Sequence, residues 1–142
     1  MKKKLNCVLL IDDDFATNFI NKTIINKEGV AEHIQVVLNG KEALDYITNQ
    51  GKFESEESFP KPQLVFLDIN MPVMDGWEFI QEYQKLSPEI KENIIIVMLT
   101  SSFNPDDKSK ADTFAEIADF RNKILTVEVL KNVLAKHFPD YI

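Results

Sequence analysis

The 142-residue sequence contains a single cysteine, Cys7, and a single arginine, Arg121. One cysteine can form neither an internal disulfide nor a cysteine-based zinc site, which favours a reducing compartment. No apolar run approaches the ~20 residues of a membrane span. The lysine-rich start is followed by an apolar stretch, residues 7–11, that is too short for the core of a signal peptide and stops at three aspartates. We therefore expect a cytoplasmic protein.

Positive charge is also scarce. The sequence has 16 Lys and Arg residues and 23 Asp and Glu residues, which gives a net charge of −7. Nucleic-acid phosphates are bound by clusters of lysine and arginine, so this balance argues against direct nucleic-acid binding. The length and the 44% hydrophobic content suit one globular domain, and no linker-like stretch divides the chain. We expect residues 1–142 to form one domain that binds cations or basic protein surfaces and binds no membrane.

Five short apolar, β-branched runs are present, at residues 5–11, 33–38, 63–67, 93–99 and 117–120. They alternate little between apolar and polar residues, which is typical of strands buried on both faces. Segments with helical spacing lie between them. Their apolar stripes are Phe15, Phe19, Thr23 and Ile24; Leu44 and Ile47; Trp77, Ile80, Tyr83 and Leu86; Ala111, Phe114 and Ala115; and Val127, Leu130, Val133 and Leu134.

Capping and stop signals punctuate these helical segments. The expected N-caps are Asn39, Asn104 (followed by Pro105) and Thr126, and the expected stops are Gly29, Gly51 and Ser87-Pro88. A strand followed by a helix, repeated five times, predicts an α/β fold. Its centre is a doubly wound, five-stranded parallel sheet with helices on both faces and right-handed crossovers.

Several other residues receive a structural interpretation. Residues 51–62 form a loop-like insertion with two prolines and an acidic middle, which predicts a surface loop. We expect Phe53 and Phe59 to pin that loop to the body of the protein. Cys7 is expected in the core, and neither histidine has a neighbour in sequence that suggests metal ligation.

Residues able to do chemistry follow four of the five apolar runs. In an open parallel sheet, ligands bind beyond the carboxyl ends of the strands. The residues at those ends are Asp12, Asp13 and Asp14 after the first run, Asp68 and Asn70 after the third, Thr100 after the fourth and Lys123 after the fifth. We therefore expect carboxylates, a hydroxyl and an ammonium group at one edge of the sheet.

Electrostatics indicates what such a group could do. Two carboxylates about 4 Å apart repel each other by roughly 1 to 4 kcal/mol, depending on the effective dielectric. Grouping Asp12, Asp13 and Asp68 is therefore costly without a cation, whereas a divalent ion and the ammonium of Lys123 would bring the total charge to zero. Such oxygen ligands suit Mg²⁺, which can clamp phosphoryl oxygens. Asp68 is then the candidate nucleophile for an acyl phosphate, with Thr100 and Lys123 holding the remaining phosphoryl oxygens.

Each of these residues also has a purely structural interpretation. An aspartate after a strand is commonly a helix cap, and for Asp14, next to a helix start, we predict the cap. Thr100 alone would be interpreted as a turn hydroxyl, and Lys123 alone as a solvated surface lysine. The functional interpretation rests on their coincidence at one predicted edge.

Four blocks of the sequence together resemble a bacterial two-component response-regulator receiver domain. They are residues 9–14 (LLIDDD), residues 64–76 (LVFLDINMPVMDG), the Leu99-Thr100-Ser101 step and Lys123. The resemblance covers nearly the whole chain and is closest to single-domain, chemotaxis-regulator-like members that lack an output domain. It implies the flavodoxin-like strand order 2-1-3-4-5.

The resemblance also implies a role for each matching residue. Asp68 would be the phosphoacceptor. Asp13 would ligate Mg²⁺ directly, Asp12 would do so through water, and Asp68 and the backbone carbonyl of Asn70 would complete the set. No other cofactor is implied.

A second group of residues would act as the switch. Thr100 and Lys123 would bind phosphoryl oxygens, and Phe120 stands where the family carries its switch aromatic. The chain departs from the family at Ile124, where a proline usually follows the lysine, commonly after a cis bond. A cis bond before a non-proline residue costs about 2.5–4 kcal/mol, so a different loop is an open alternative here.

The implied function is that of a stand-alone response regulator in a phosphorelay. A sensor histidine kinase or a histidine phosphotransfer protein would phosphorylate Asp68 in a Mg²⁺-dependent reaction, and a protein-binding face at about residues 104–138 would switch. Such a protein promotes its own phosphorylation and dephosphorylation and turns over no external substrate. Two alternatives stay open: a receiver-like binding module that is not phosphorylated, and a hydrolase with an aspartyl-phosphate intermediate. Asn70 argues against the hydrolase, because that position generally carries a second acid.

Overall fold

The computed structural model describes residues 3–53, 60–102 and 104–141. Five parallel strands form one sheet in the order β2-β1-β3-β4-β5. The strands are β1 (Leu5–Ile11), β2 (Ala31–Val37), β3 (Leu64–Leu67), β4 (Ile95–Thr100) and β5 (Ile117–Asn122). The predicted α/β class and the strand order implied by the resemblance are confirmed.

Six α-helices connect or follow the strands of this described part of the chain. They are α1 (Phe15–Glu28), α2 (Gly40–Thr48), α3 (Gly76–Tyr83), α4 (Pro88–Lys91), α5 (Pro105–Asp112) and α6 (Val127–His137). A short 3-10 turn, Gly51–Phe53, follows α2. Among these helices, none combines the length and the apolarity needed to cross a membrane.

Helices cover both faces of the sheet, as predicted. On one face, Leu9 and Ile11 of β1 belong to a buried cluster with Phe79 and with residues of α2 and α5. On the other face, Val8 and Leu10 belong to a second cluster with residues of α1 and α6. Because successive strand residues point to opposite faces, the continuous apolar run of β1 supplies both clusters.

The edge strands differ from the prediction. Strands β1, β3 and β4 are almost entirely buried, whereas most residues of β2 and β5 are half-buried or exposed. An edge strand has a neighbour on one side alone, so its side chains are covered less completely. The expectation of burial on both faces is therefore wrong for β2 and β5.

The first helix buries a different side from its predicted apolar stripe. Phe15 and Phe19 are 83% and 66% exposed, Thr23 is exposed and Ile24 is half-buried. The buried residues are Thr17, Asn18, Asn21 and Ile25. The hydrophobic pattern failed because the buried side of α1 is largely polar and bonds to the end of β1, where the Asn18 amide donates to the backbone oxygen of Asp12.

Most of the predicted helix boundaries are confirmed. The side chains of Asn39, Asn104 and Thr126 cap α2, α5 and α6 by accepting hydrogen bonds from backbone N–H groups. Gly29 ends α1 in the left-handed conformation, with φ of 64°.

Two boundary predictions and one burial prediction are wrong. Helix α2 ends at Thr48, because Asn49 already adopts the left-handed conformation that was expected of Gly51. Helix α3 ends at Tyr83, and the Pro88 that was expected to terminate it begins α4, where proline is tolerated in the first turn. Val127, expected to face inward, is 38% exposed.

The insertion at 51–62 is described in part. Phe53 is buried and contacts Tyr46 edge to face, with ring centroids 5.0 Å apart. It therefore pins the start of the insertion, as predicted. Phe59 lies outside the described residues, so its prediction is untested.

Candidate functional site

The register of the sheet brings two of the predicted acidic residues side by side. Ile11 of β1 pairs with Leu67 of β3, so Asp12 and Asp68 are the next residues at the carboxyl ends of adjacent strands. The backbone N–H of Asp68 donates to the oxygen of Ile11 at 3.0 Å. The backbone hydrogen bonds between β1 and β3 thus continue as far as Asp68. They fix Asp12 and Asp68 at the carboxyl edge of the sheet.

Asp12, Asp13 and Asp68 form one acidic cluster. Each offers a carboxylate oxygen, and these oxygens lie within 4.8 Å of one another. Asp12 and Asp68 are each 5% exposed, whereas Asp13 is exposed at the mouth of the pocket. Three converging carboxylates are hard oxygen ligands, and Mg²⁺ and Mn²⁺ favour such ligands. The donor set therefore fits a divalent cation.

Lys123 reaches into this cluster, as predicted. Its Nζ lies 2.6 Å from Oδ2 of Asp12 and 3.2 Å from Oδ2 of Asp68. Its backbone N–H donates to the oxygen of Thr100 at 2.9 Å, which ties its loop to the end of β4. The Lys123–Ile124 peptide bond is cis even though no proline follows. Although Ile124 departs from the family pattern, the lysine Nζ lies against both carboxylates.

The environment perturbs both charged partners. Burial raises the pKa of Asp68, and the neighbouring charge of Asp12 raises it further, against the opposing effect of Lys123. Burial acts to lower the pKa of Lys123, but the hydrogen bonds and charges of Asp12 and Asp68 outweigh it, so that pKa is raised. The lysine therefore stays charged, and burial makes the ionised form of Asp68 costly.

The start of α1 holds Asp12 in place. The backbone N–H of Asp14 donates to Oδ1 of Asp12 at 2.9 Å, and the Asn18 amide donates to the Asp12 backbone oxygen at 2.7 Å. Asp14 itself caps α1 by accepting from the N–H and the hydroxyl of Thr17. The hydrogen bonds from Thr17 lower the pKa of Asp14. The prediction of Asp14 as a cap is confirmed.

Thr100 and Phe120 lie at the neighbouring strand ends. Thr100 is fully buried, and its hydroxyl accepts from the N–H of Ser102 at 3.2 Å. The Asn122 amide donates to the Ser102 oxygen at 3.2 Å, which ties the loop after β4 to β5. Phe120 is half-buried and lines a cavity of about 320 Å³ with Ser102 and Asn104. Asn70 is exposed two residues beyond Asp68.

Sequence reasoning gave no role to Gly76, the last residue of the block at 64–76. A Cβ at this position would collide with the backbone oxygen of Asp68. The N–H of Gly76 donates to the oxygen of Ile69 at 2.8 Å. The loop after β3 therefore folds back tightly on itself beneath Asp68, and only glycine leaves room for that approach. The Asp-Gly pair in the sequence was a signal for a tight turn.

The fold and the pocket together define the class of the protein: a doubly wound α/β domain with an acidic, lysine-bridged pocket at the carboxyl edge of its sheet. The family model described as "Response regulator receiver domain" matches residues 8–135. The chain belongs to this family. Receiver domains are signalling modules of two-component systems that interact with histidine kinases or phosphotransfer proteins, and they bind a divalent metal at the acidic pocket.

Individual relatives support the same assignment. The chain is 31% identical to Response regulator Rcp1 from Synechocystis sp. over 100 residues, which cover 70% of this chain and 65% of Rcp1. The solved structure of a two-component response regulator from Cytophaga hutchinsonii is 33% identical, with a TM-score of 0.81, over 96% of this chain and 99% of that one. The structure of the Mn²⁺-bound form of Rcp1 is 26% identical, with a TM-score of 0.73, over 95% of this chain and 94% of that one.

Proposed function

We propose that this chain is a phosphorelay response regulator that accepts a phosphoryl group on Asp68. The donor is a phosphohistidine on a sensor histidine kinase or on a histidine phosphotransfer protein. The observation that carries the proposal is the buried Asp68 carboxylate, which lies beside two further carboxylates and 3.2 Å from the ammonium of Lys123. Residues 1–142 act in this proposal as one receiver unit.

The transfer is a direct exchange between two nucleophiles. A carboxylate oxygen of Asp68 attacks phosphorus, the P–N bond to the donor histidine breaks, and its electron pair stays on the imidazole ring. Lys123 supplies positive charge next to the attacking group and can hold a phosphoryl oxygen. The buried hydroxyl of Thr100 is the second candidate for that role. The protein therefore takes up one phosphoryl group and transforms no external substrate.

The proposed metal is Mg²⁺, held by Asp12, Asp13 and Asp68 with the backbone carbonyl of Asn70 as a further ligand. A bound divalent ion neutralises charge on the phosphoryl oxygens during the transfer. The cluster and the lysine support this assignment, because together they carry a charge of −2 that one divalent ion balances.

Phosphorylation can act on the rest of the molecule through the loops after β4 and β5. The new phosphoryl oxygens favour any conformation in which Thr100 and Lys123 bind them, which shifts an existing equilibrium. Phe120 is proposed as the switch aromatic, since it lines the cavity beside the loop that Thr100 begins. The surface that changes is proposed to span about residues 104–138, and it would contact a downstream protein.

The donor protein needs a surface next to Asp68. Phe15, Leu38, Val73 and Ile124 are large apolar residues that are at least 46% exposed. Each lies in a segment that follows the carboxyl end of a strand, so all four lie at the edge of the sheet that holds the pocket. We propose that they contact the phosphohistidine-bearing partner.

The single, buried Cys7 fits the reducing cytoplasm, where we place this exchange.

A phosphotransfer assay tests the proposal. Candidate histidine kinases and phosphotransfer proteins, labelled on histidine, are mixed with the chain with and without Mg²⁺. Label should move to the wild-type chain only when Mg²⁺ is present, should not move to Asp68→Asn, and should move normally to a control, Asp140→Asn, at an exposed aspartate. Equal labelling of Asp68→Asn would assign the wrong acceptor. Binding of a kinase without label transfer would favour the non-phosphorylated binding module, and steady release of phosphate from esters would favour the hydrolase.

A further inference from the structure

Two asparagines on the buried side of α1 have an incomplete set of hydrogen bonds. Asn18 and Asn21 are 5% and 3% exposed. The side-chain oxygen of each is buried and has no hydrogen-bond partner among the described residues. Buried polar atoms in folded proteins almost always form a hydrogen bond with the protein or with ordered water. We therefore expect each of these two oxygens to accept a hydrogen bond from a donor group.

Both asparagines line the same small cavity. It lies between α1 and the sheet, with Asp12 and Asp68 also in its wall. The volume inside it that the centre of a water molecule can occupy is about 10 Å³. This is close to the volume that one buried water requires by the same measure. The remaining wall is formed by buried apolar side chains of the strands. The cavity is thus the size of one small molecule and carries hydrogen-bond acceptors.

We propose that this cavity binds one internal water, which donates one hydrogen bond to Oδ1 of Asn18 and one to Oδ1 of Asn21. Water has two O–H donors and therefore matches two acceptors. A hydrated divalent cation fits less well, because the shell of six or more oxygen ligands that it favours needs more room than this cavity offers. The ligand class of the site is a neutral, two-donor molecule the size of water.

The water gives Asn18 a role in the acidic pocket. The amide nitrogen of Asn18 donates to the backbone oxygen of Asp12 at 2.7 Å. A hydrogen bond at the carboxamide oxygen fixes which end of the side chain points to Asp12. Asn18 is therefore a positioning residue: it acts through Asp12, which carries the carboxylate bonded to Lys123.

The water can be detected in the intact wild-type protein. In NMR experiments on the metal-free chain, the side-chain amide protons of Asn18 and Asn21 should show nuclear Overhauser effects to a long-lived water. A crystal structure at atomic resolution should show one density peak within hydrogen-bonding distance of both oxygens. Absence of both signals in the wild type overturns the proposal without the need for any variant.

A matched pair of variants tests the assignment to these residues. Asn21→Leu keeps the number and branching of the side-chain heavy atoms and removes an acceptor, so the water signal at Asn18 should be lost, whereas the control Asn26→Leu, at an exposed position of the same helix, should keep it. Retention of the water in Asn21→Leu would contradict the site. For the positioning role, Asn18→Leu should weaken Mg²⁺ binding about tenfold, the usual effect of losing a residue that orients a metal ligand. An unchanged Mg²⁺ dissociation constant would overturn that role.

Discussion

Replacing Asp68 with asparagine should stabilise the metal-free protein, although it removes the group on which the proposed function depends. Within the 4.8 Å cluster, each neighbouring carboxylate repels Asp68 by ~1 to ~3.5 kcal/mol, depending on the effective dielectric. The ammonium of Lys123, at 3.2 Å, attracts it by ~1 to ~5 kcal/mol. With two such neighbours, the summed repulsion of ~2 to ~7 kcal/mol slightly exceeds the attraction, and the desolvation of a carboxylate that is 5% exposed adds to the cost of the charge.

Desolvation is also the largest cause of the raised pKa of Asp68. A raised pKa in the folded state means that the charged carboxylate costs stability at neutral pH, and that this cost disappears as the pH falls through the raised pKa. We therefore expect Asp68→Asn to increase the free energy of unfolding by about 1–2 kcal/mol at pH 7 in a chelator. The gain should shrink toward zero in acid, where Asp68 is protonated.

Urea denaturation of both proteins, at neutral and acidic pH, measures the difference. Mg²⁺ should reverse the order at neutral pH, because the ion stabilises the three-carboxylate cluster of the wild type more than the variant. The exposed Asp140→Asn variant should show neither effect. A destabilised Asp68→Asn protein in chelator, or a difference that does not change with pH, would show that the buried charge of Asp68 does not cost stability.

Three further perturbations test neighbouring features. Gly76→Ala should lower the free energy of unfolding by ~1–3 kcal/mol, because its Cβ would collide with the Asp68 backbone oxygen; denaturation measures this, and a neutral effect would show that the turn relaxes freely. Asp14→Ala should lower the urea midpoint, because it removes the side chain that caps α1. The pKa of Asp14 is lowered in the folded state, so the difference in midpoint between wild type and variant should fade as the pH falls through that pKa. A difference in midpoint that is constant with pH would contradict the role of the charge. Burial raises the pKa of Cys7 to about 11, so iodoacetamide should leave it unmodified in the native protein and alkylate it after unfolding, as read by mass spectrometry; equal rates in both states would show that the thiol is accessible.

Much of this fold could be predicted from the sequence, since its central strands are buried on both faces and contain little besides apolar residues. The same property located the site, because the first polar residues after β1 and β3 must lie at the carboxyl edge of the sheet. Asp12 and Asp68 are therefore neighbours as a direct result of the pairing of Ile11 with Leu67.

The remaining features depend on interactions that hydrophobic periodicity does not encode. The buried side of α1 carries Asn18 and Asn21, so a search for apolar stripes selected the exposed phenylalanines instead. Asn49 ends α2 because asparagine tolerates the left-handed conformation, a property that the glycine at position 51 shares. The aim of Lys123 depends on a loop conformation, and composition alone could not predict it.

Identification of the phosphorylated residue decides whether Asp68 is the phosphoacceptor of a divalent-metal pocket. The intact chain is incubated with a small acyl-phosphate donor and Mg²⁺, its mass is measured, and the modified residue is located by peptide fragmentation. We predict the addition of one phosphoryl group, on Asp68, that requires Mg²⁺ and is absent from Asp68→Asn. An unmodified wild-type chain, or a phosphoryl group on any other residue, would show that Asp68 is not the phosphoacceptor.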